Sequence, residues 1–442
     1  MPRDVADRVP WRMIVLAGLG GALEFYDFVL FGVFAPTIGA TFFPSGNPLV
    51  QQMVGYAGFA IGYLARPIGG VVIAHFGDRR GRRGAFLGSV LVMSLATVAM
   101  GLLPGYATIG AAAPVLLLLL RLAQGFCLGA EFPGAVTYVT ETVPQRASFA
   151  CGVVFTCVNC GALLATLINL ALPPAIAATW GWRAAFLLGG VLGLIGFFAR
   201  RALAETPAFR DMRGRVAKLP LGDVLRAHPL PVVVGTATSA ATAGFNGVLF
   251  VLLGGYLTRT LHYPPTLAAI AQNGGVIAYT VSLLATSRVA DMVPRRHVLA
   301  FGSALLVLGS WPFFAALASG TAPIVLLVAV ASLVAGICTG VFSPIVADLF
   351  PTRVRYSGVA LAYNLSFTTF SGTVPLLATA AIAATGTVEA PAAVMAACAA
   401  IALAGAIALR WFGGWMGGKA GAPAMIRPAT APARGTAGRT AE

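Results

Sequence analysis

Two carboxylates, Glu24 and Asp27, stand three residues apart inside the apolar run Gly20-Gly-Ala-Leu-Glu-Phe-Tyr-Asp-Phe-Val-Leu-Phe-Gly32. On a helix that spacing puts both on one face. A carboxylate at the centre of a bilayer costs about 2.5–3.5 kcal/mol on insertion scales, so this face must turn to a bundle interior or a wet cavity. Two acids this close disfavour each other's charge, which gives a group able to take up and release a proton near neutral pH. A static ion pair with Arg66 or Arg121 is the other use such acids can have. Further along, Arg121-Leu-Ala-Gln124-Gly125 is followed by Glu131 in another apolar stretch. A guanidinium is always charged and can hold a carboxylate through two parallel hydrogen bonds. An Arg and a Glu on one span can exchange partners as a site fills and empties, or clamp neighbouring helices permanently.

A third charged segment reads Leu64-Ala-Arg66-Pro67-Ile-Gly69-Gly70, then Gly77-Asp78-Arg79-Arg80-Gly81-Arg82-Arg83. Its glycines suit a tight turn and close helix approach. Asp78 can accept from the N-terminus of a facing helix and latch one conformation. Arg66, Asp78, Arg79 and Arg82, with Asp291 in a later echo of the segment, form the candidate gate; the bland reading is a topology anchor. Asn159, Asn246, Gln272, Asn273, Tyr363 and Asn364 also fall inside apolar stretches. Each can line a cavity beside Gln124, or bridge two helices for only about 0.6 kcal/mol.

These residues need helices to carry them. The chain has 442 residues, of which 58% are hydrophobic and 10% charged, far from the roughly 25% charge of a soluble domain. Apolar stretches long enough to span a bilayer are expected at 12–38, 49–75, 84–104, 112–141, 148–172, 182–201, 230–258, 266–288, 297–318, 322–348, 355–384 and 389–411. The first is full length, with no small-residue cleavage site, so it is expected to be retained. The expected architecture is an all-α membrane protein of twelve helices. It divides into a six-helix half at 1–201, a polar link at 202–229, a second half at 230–412 and a disordered tail at 413–442.

The net charge of +15 would suggest nucleic acid in a soluble protein. Here 25 of the 29 Lys and Arg fall in alternate links, on one side of the expected spans, and only Arg183 and Arg259 on the other. By the positive-inside rule both termini and the central link are expected in the cytoplasm. The halves also repeat. Glu141-Thr-Val-Pro-Gln-Arg146 after the fourth span is echoed by Asp348-Leu-Phe-Pro-Thr-Arg353 after the tenth, and the basic link 79–83 by Asp291-Met-Val-Pro-Arg-Arg296. A duplicated six-span half is a carrier architecture, with the solute held where the halves meet.

Enzyme signatures are absent. There is no GxxxxGK[ST] loop for a nucleotide and no HExxH, and the four histidines are not paired at metal spacing. Cys157 and Cys160 form a lone CxxC on an apolar helix, a weak metal signal better read as packing. No cofactor and no metal are expected. An ion gradient is the expected energy source, and the expected partners are a small organic solute, a proton and the lipid bilayer, with the carrier acting as a monomer.

Together these segments resemble the metabolite:proton symporter family of the major facilitator superfamily over nearly the whole chain to about residue 410. Leu23-Glu-Phe-Tyr-Asp-Phe28 is similar to its LEWYDF-type signature, Ala65-Arg-Pro-Ile-Gly-Gly70 and Gly77-Asp-Arg-Arg-Gly-Arg82 to its loop motif. Arg121-Leu-Ala-Gln-Gly125 with Gly129-Ala-Glu-Phe-Pro-Gly134 resembles its RxxQG…GGEYGG stretch, and Phe350-Pro-Thr-Arg-Val-Arg355 with Tyr363-Asn-Leu365 its tenth-to-eleventh-span pattern. Three departures stand out: Phe155-Thr-Cys-Val-Asn159-Cys-Gly161 in the fifth span, Met292-Val-Pro-Arg in the second-half loop, and Pro133 in a run that is otherwise glycine-rich. The resemblance implies proton-coupled movement of a small, usually charged metabolite, here a carboxylate or zwitterion, by alternating access. Efflux of a drug or a carboxylate metabolite such as a siderophore is the alternative on the same fold. Glu24, Asp27 and Glu131 are then the proton-coupling candidates, with Arg121, Gln124 and the polar residues above as substrate ligands. Glu24, Asp27, Arg121 and Glu131 are expected to form one charge set in which the solute displaces the carboxylate partner of Arg121 and the freed acid takes the proton.

Overall fold

In the computed structural model, residues 11–44, 48–201 and 220–412 are described. Residues 202–219 of the expected link and the expected tail at 413–442 lie outside them. Among the described residues the chain is helical, with no strand. A helix closes its own backbone hydrogen bonds, which is the condition for crossing hydrocarbon. The long helices are α1 (Trp11–Val33), α2 (Pro48–Arg80), α3 (Arg82–Leu102), α4 (Ala112–Thr142), α5 (Ala147–Ala171) and α6 (Trp182–Arg200). They continue with α7 (Pro229–Asn246), α8 (Pro265–Val289), α9 (Arg295–Ser319), α10 (Ile324–Asp348), α11 (Arg355–Ser366) and α12 (Pro391–Ala408). Wider π turns prolong α7 to Thr260, and a π turn at Phe367–Ser371 joins α11 to Gly372–Thr385. Eleven spans are long and apolar enough to cross a membrane. The twelfth, α2, has 33 residues, about 50 Å of helix at 1.5 Å per residue.

The twelve-helix expectation holds, with one correction. The second span, expected at 49–75, runs on as helix to Arg80. Only Gly81 turns, at φ +114°, a conformation open to glycine alone. Gly69 and Gly70 serve packing instead. A side chain on Gly69 would lie 1.9 Å from the Phe126 carbonyl oxygen of α4, and one on Gly125 would lie 2.1 Å from that of Gly62. The α1–α5 pair is built alike, since a Cβ on Gly161 would lie 1.7 Å from the Ala22 carbonyl oxygen. In α8–α10 a Cβ on Gly340 would lie 2.7 Å from that of Leu283. Lipid is as apolar as leucine, so close backbone approach through small residues does the work that hydrophobic burial does in water. Cys157 fits this scheme: it packs where Gly18 has no side chain. Large apolar residues face outward, Leu308 and Leu376 being 74% and 71% exposed.

Candidate functional site

The glycine contacts hold α2 against α4 and α1 against α5, and the buried charges come together in two layers. In the first, Gln124 lies between Asp27 and Arg121. Its Nε2 donates to Asp27 Oδ2 at 2.5 Å and to Thr97 Oγ1 of α3 at 2.9 Å. Its Oε1 accepts from Arg121 Nη1 at 2.9 Å. Arg121 and Asp27 themselves stand 3.8 Å apart, beyond hydrogen-bond reach. The guanidinium stacks on Phe31, with Cζ 3.9 Å from the ring centroid. Asp27, Arg121 and Gln124 are all at most 3% exposed.

One turn closer to the end of the bundle that carries the basic links, Glu24 pairs with Arg66 of α2 at 4.0 Å, both fully buried. Arg66 Nη2 also donates to the Tyr363 hydroxyl of α11 at 3.4 Å. Glu131 accepts from Ser89 Oγ of α3 at 3.1 Å. The four charges expected as one set therefore make these contacts. Asp27 belongs with Arg121, Glu24 belongs with Arg66, and Glu131 meets a hydroxyl on α3.

Among the described residues, the facing helices contribute no charge at this depth. Asn246 Nδ2 of α7 donates to the Tyr279 hydroxyl of α8 at 2.8 Å, and that hydroxyl shares a hydrogen bond of 2.7 Å with Thr339 of α10. Gln272 Nε2 donates to the Leu249 carbonyl, Asn273 Oδ1 accepts from Thr166 of α5, and Asn159 Nδ2 donates to Thr280 of α8. Of the amides singled out in the sequence, Asn159, Asn273 and Asn364 thus bridge the first six helices to the last six. Between the polar layers and the basic end, Phe132, Phe155, Phe342, Tyr363 and Phe367 form a buried aromatic cluster, Tyr363 and Phe367 having centroids 4.3 Å apart.

At the basic end the two sets of helices cap each other. Asp78 Oδ2 at the end of α2 accepts from the Ser357 N–H in the first turn of α11 at 2.8 Å. Asp291, just past α8, accepts from the Ser148 and Phe149 N–H groups in the first turn of α5 at 2.9 and 3.1 Å. Both carboxylates sit at the positive ends of helix dipoles. Arg295 reaches Asp348 at 2.5 Å and Arg355 reaches Glu141 at 3.0 Å. Arg79 is exposed, and the Arg82 side chain lies outside the described residues. One further bridge depends on Pro133. Proline has no N–H, so the Gly129 carbonyl of α4 has no donor in its own helix. Asn364 Nδ2 of α11 supplies one at 2.6 Å. Thr97, Ser89, Tyr279 and Thr339 were not singled out in the sequence, where an isolated hydroxyl in an apolar span is common. No cluster among the described residues could hold a metal ion.

A twelve-helix bundle with buried ion pairs at mid-depth and reciprocal caps at one end has the build of a secondary carrier. The family described as "Sugar (and other) transporter" matches residues 13–219. The chain is 33% identical over 388 residues to the inner membrane metabolite transport protein YhjE of Escherichia coli, spanning 83% of this chain and 87% of that one. It is 33% identical over 396 residues to the glycine betaine/proline/ectoine/pipecolic acid transporter OusA of Dickeya dadantii, covering 83% and 76%. With the proline/betaine transporter of Escherichia coli it shares 32% over 391 residues, covering 83% and 77%. The solved proton:xylose symporter XylE bound to 6-bromo-6-deoxy-D-glucose superposes with a TM-score of 0.75 at 16% identity, covering 91% of this chain and 95% of that one. XylE from E. coli in an inward open conformation gives 0.63 at 15% identity, with 92% and 97% covered. The chain belongs to the metabolite:proton symporter family of the major facilitator superfamily. It is a multi-pass membrane transporter and not an enzyme.

Proposed function

We propose that the chain imports a small zwitterion together with a proton, by alternating access between two halves at 1–201 and 230–412. The observation that carries this reading is the buried cluster of Asp27, Gln124 and Arg121 beside the Glu24–Arg66 pair. Arg121 has two donors, Nε and Nη2, with no hydrogen-bond partner among the described residues, and Asp27 has one such oxygen, Oδ1. The guanidinium is the counter-charge for a solute carboxylate, and Asp27 is the group that takes the proton. Mid-depth holds Glu24, Asp27 and Glu131 against Arg66 and Arg121. Three acids against two cations disfavour a multiply charged anion, whereas a zwitterion brings its own cation. The names of the proline and betaine carriers among the relatives support the same class.

In this reading the basic end is cytoplasmic, as the charge bias requires. The caps at Asp78 and Asp291 hold it shut in the conformation described, and they must break for release. Purified full-length protein reconstituted into liposomes tests the reading. An imposed inward proton gradient is expected to drive accumulation of labelled L-proline or glycine betaine. Uptake that ignores the gradient would remove proton coupling, and no uptake of either probe would remove the solute class.

A further inference from the structure

The amide of Gln124 can take only one orientation. Thr97 Oγ1 donates its hydrogen to the Met93 carbonyl at 2.9 Å, so toward Gln124 it can only accept. The NH2 of Gln124 must therefore face Thr97 and Asp27, and its oxygen must face Arg121. Both hydrogens and the oxygen are then in use. The amide thus braces the pair from the side, holding Asp27 Oδ2 and Arg121 Nη1 3.8 Å apart through one hydrogen bond to each.

We propose that Gln124 is a positioning residue that keeps the Asp27–Arg121 ion pair from closing to direct hydrogen bonds. This separates their tasks. A two-pronged pair with Asp27 would consume the guanidinium edge that a solute carboxylate needs, and it would hold Asp27 in its charged form. With the amide bracing them, Nε and Nη2 of Arg121 keep no hydrogen-bond partner among the described residues, and Asp27 Oδ1 keeps none. Solute and proton can thus arrive without either group leaving the other. The solute half of this inference rests on the function proposed above; the spacer half does not.

The test uses Gln124→Met, which keeps length and removes the amide, with Gln124→Asn, too short to bridge, as a second variant. Infrared spectroscopy of the purified full-length protein reads the carboxylate without any solute. The Asp27 band is identified by its loss in Asp27→Asn. In Gln124→Met that band is expected to move to the position of a directly arginine-paired carboxylate; an unmoved band in both folded variants overturns the proposal. Proline exchange in liposomes gives the second readout. Half-saturation is expected to rise about tenfold, the equivalent of one charge-assisted hydrogen bond lost to competition. Adding Asp27→Asn to Gln124→Met is expected to restore it, because no carboxylate remains to close on Arg121. Failure of that rescue shows that Gln124 touches the solute itself and counts against the spacer. A moved band with no proline exchange by the wild type sinks the proposed solute and leaves the spacer standing.

Discussion

The hydrogen bond from Asn364 to the carbonyl opposite Pro133 allows a prediction with an internal control. Asn364→Leu removes the sole side-chain donor reaching Gly129 across the interface among the described residues. Asn364 is fully buried, and the carbonyl has no helical donor because position 133 is proline. Leaving a buried carbonyl unsatisfied costs about 1–3 kcal/mol. Side-chain bonds between membrane helices average about 0.6 and reach about 1.7 kcal/mol. The orphaned carbonyl puts this case in the upper part of that range, about 1–1.7 kcal/mol. If opening of the basic end separates α11 from α4, the open state gains about 5- to 20-fold. Hydrogen–deuterium exchange over the first turns of α11 and the end of α4 should quicken by that factor. Pro133→Ala supplies the missing N–H. In that background Asn364→Leu should cost only the bond, and the quickening should shrink to about threefold, the equivalent of about 0.6 kcal/mol. Equal effects of Asn364→Leu with proline and with alanine at 133 would refute the reasoning.

Gly70→Ala should quicken exchange there at least as much, since its Cβ would fall 2.3 Å from Asn364 Nδ2 and 2.5 Å from the Gly129 carbonyl oxygen; the same exchange measurement reads it. Asp291→Asn replaces a charged cap on two N–H groups of α5 with a neutral one, and should raise labelling of the basic end by a membrane-impermeant reagent several-fold, as a loss of about 0.5–1 kcal/mol implies. Gly161→Ala should sharply lower the yield and melting temperature of purified protein, because its Cβ meets backbone at 1.7 Å, while Gly88→Ala, with open space around it, should leave both unchanged. Arg121→Ala should abolish exchange of a carboxylate solute without loss of folded protein in gel filtration.

Which residues lie at mid-depth can be read without coordinates. Charges in apolar stretches are few, and Glu24, Asp27, Arg66, Arg121 and Glu131 announce themselves. Their pairing cannot be read. Either arginine could serve either acid by helical rise, and only the glycine contacts between α2 and α4 decide that Arg66 takes Glu24. Gln124 reads in the sequence as a solute ligand beside Arg121; its contacts to Thr97 and Asp27, on two other helices, are visible only in the fold. Twelve spans were legible because lipid forces long apolar helices. The end of α2 was not, because arginines and glycines near Asp78 look like a loop although the helix runs on to Arg80. Pro133 reads in the sequence only as a departure from a glycine-rich run; the donor that answers it lies in α11, more than two hundred residues away.

The placement of charge also has an electrical side. Every carboxylate and guanidinium described at mid-depth belongs to the first six helices, while the polar residues facing them from α7, α8 and α10 are neutral amides and hydroxyls. A membrane potential acts only on charge, at about 2.3 kcal/mol per elementary charge for each 100 mV crossed. The first six helices therefore carry the protein's own coupling to voltage, and the last six move through the field almost unfelt. A resting potential can then bias which way the carrier faces before any solute arrives.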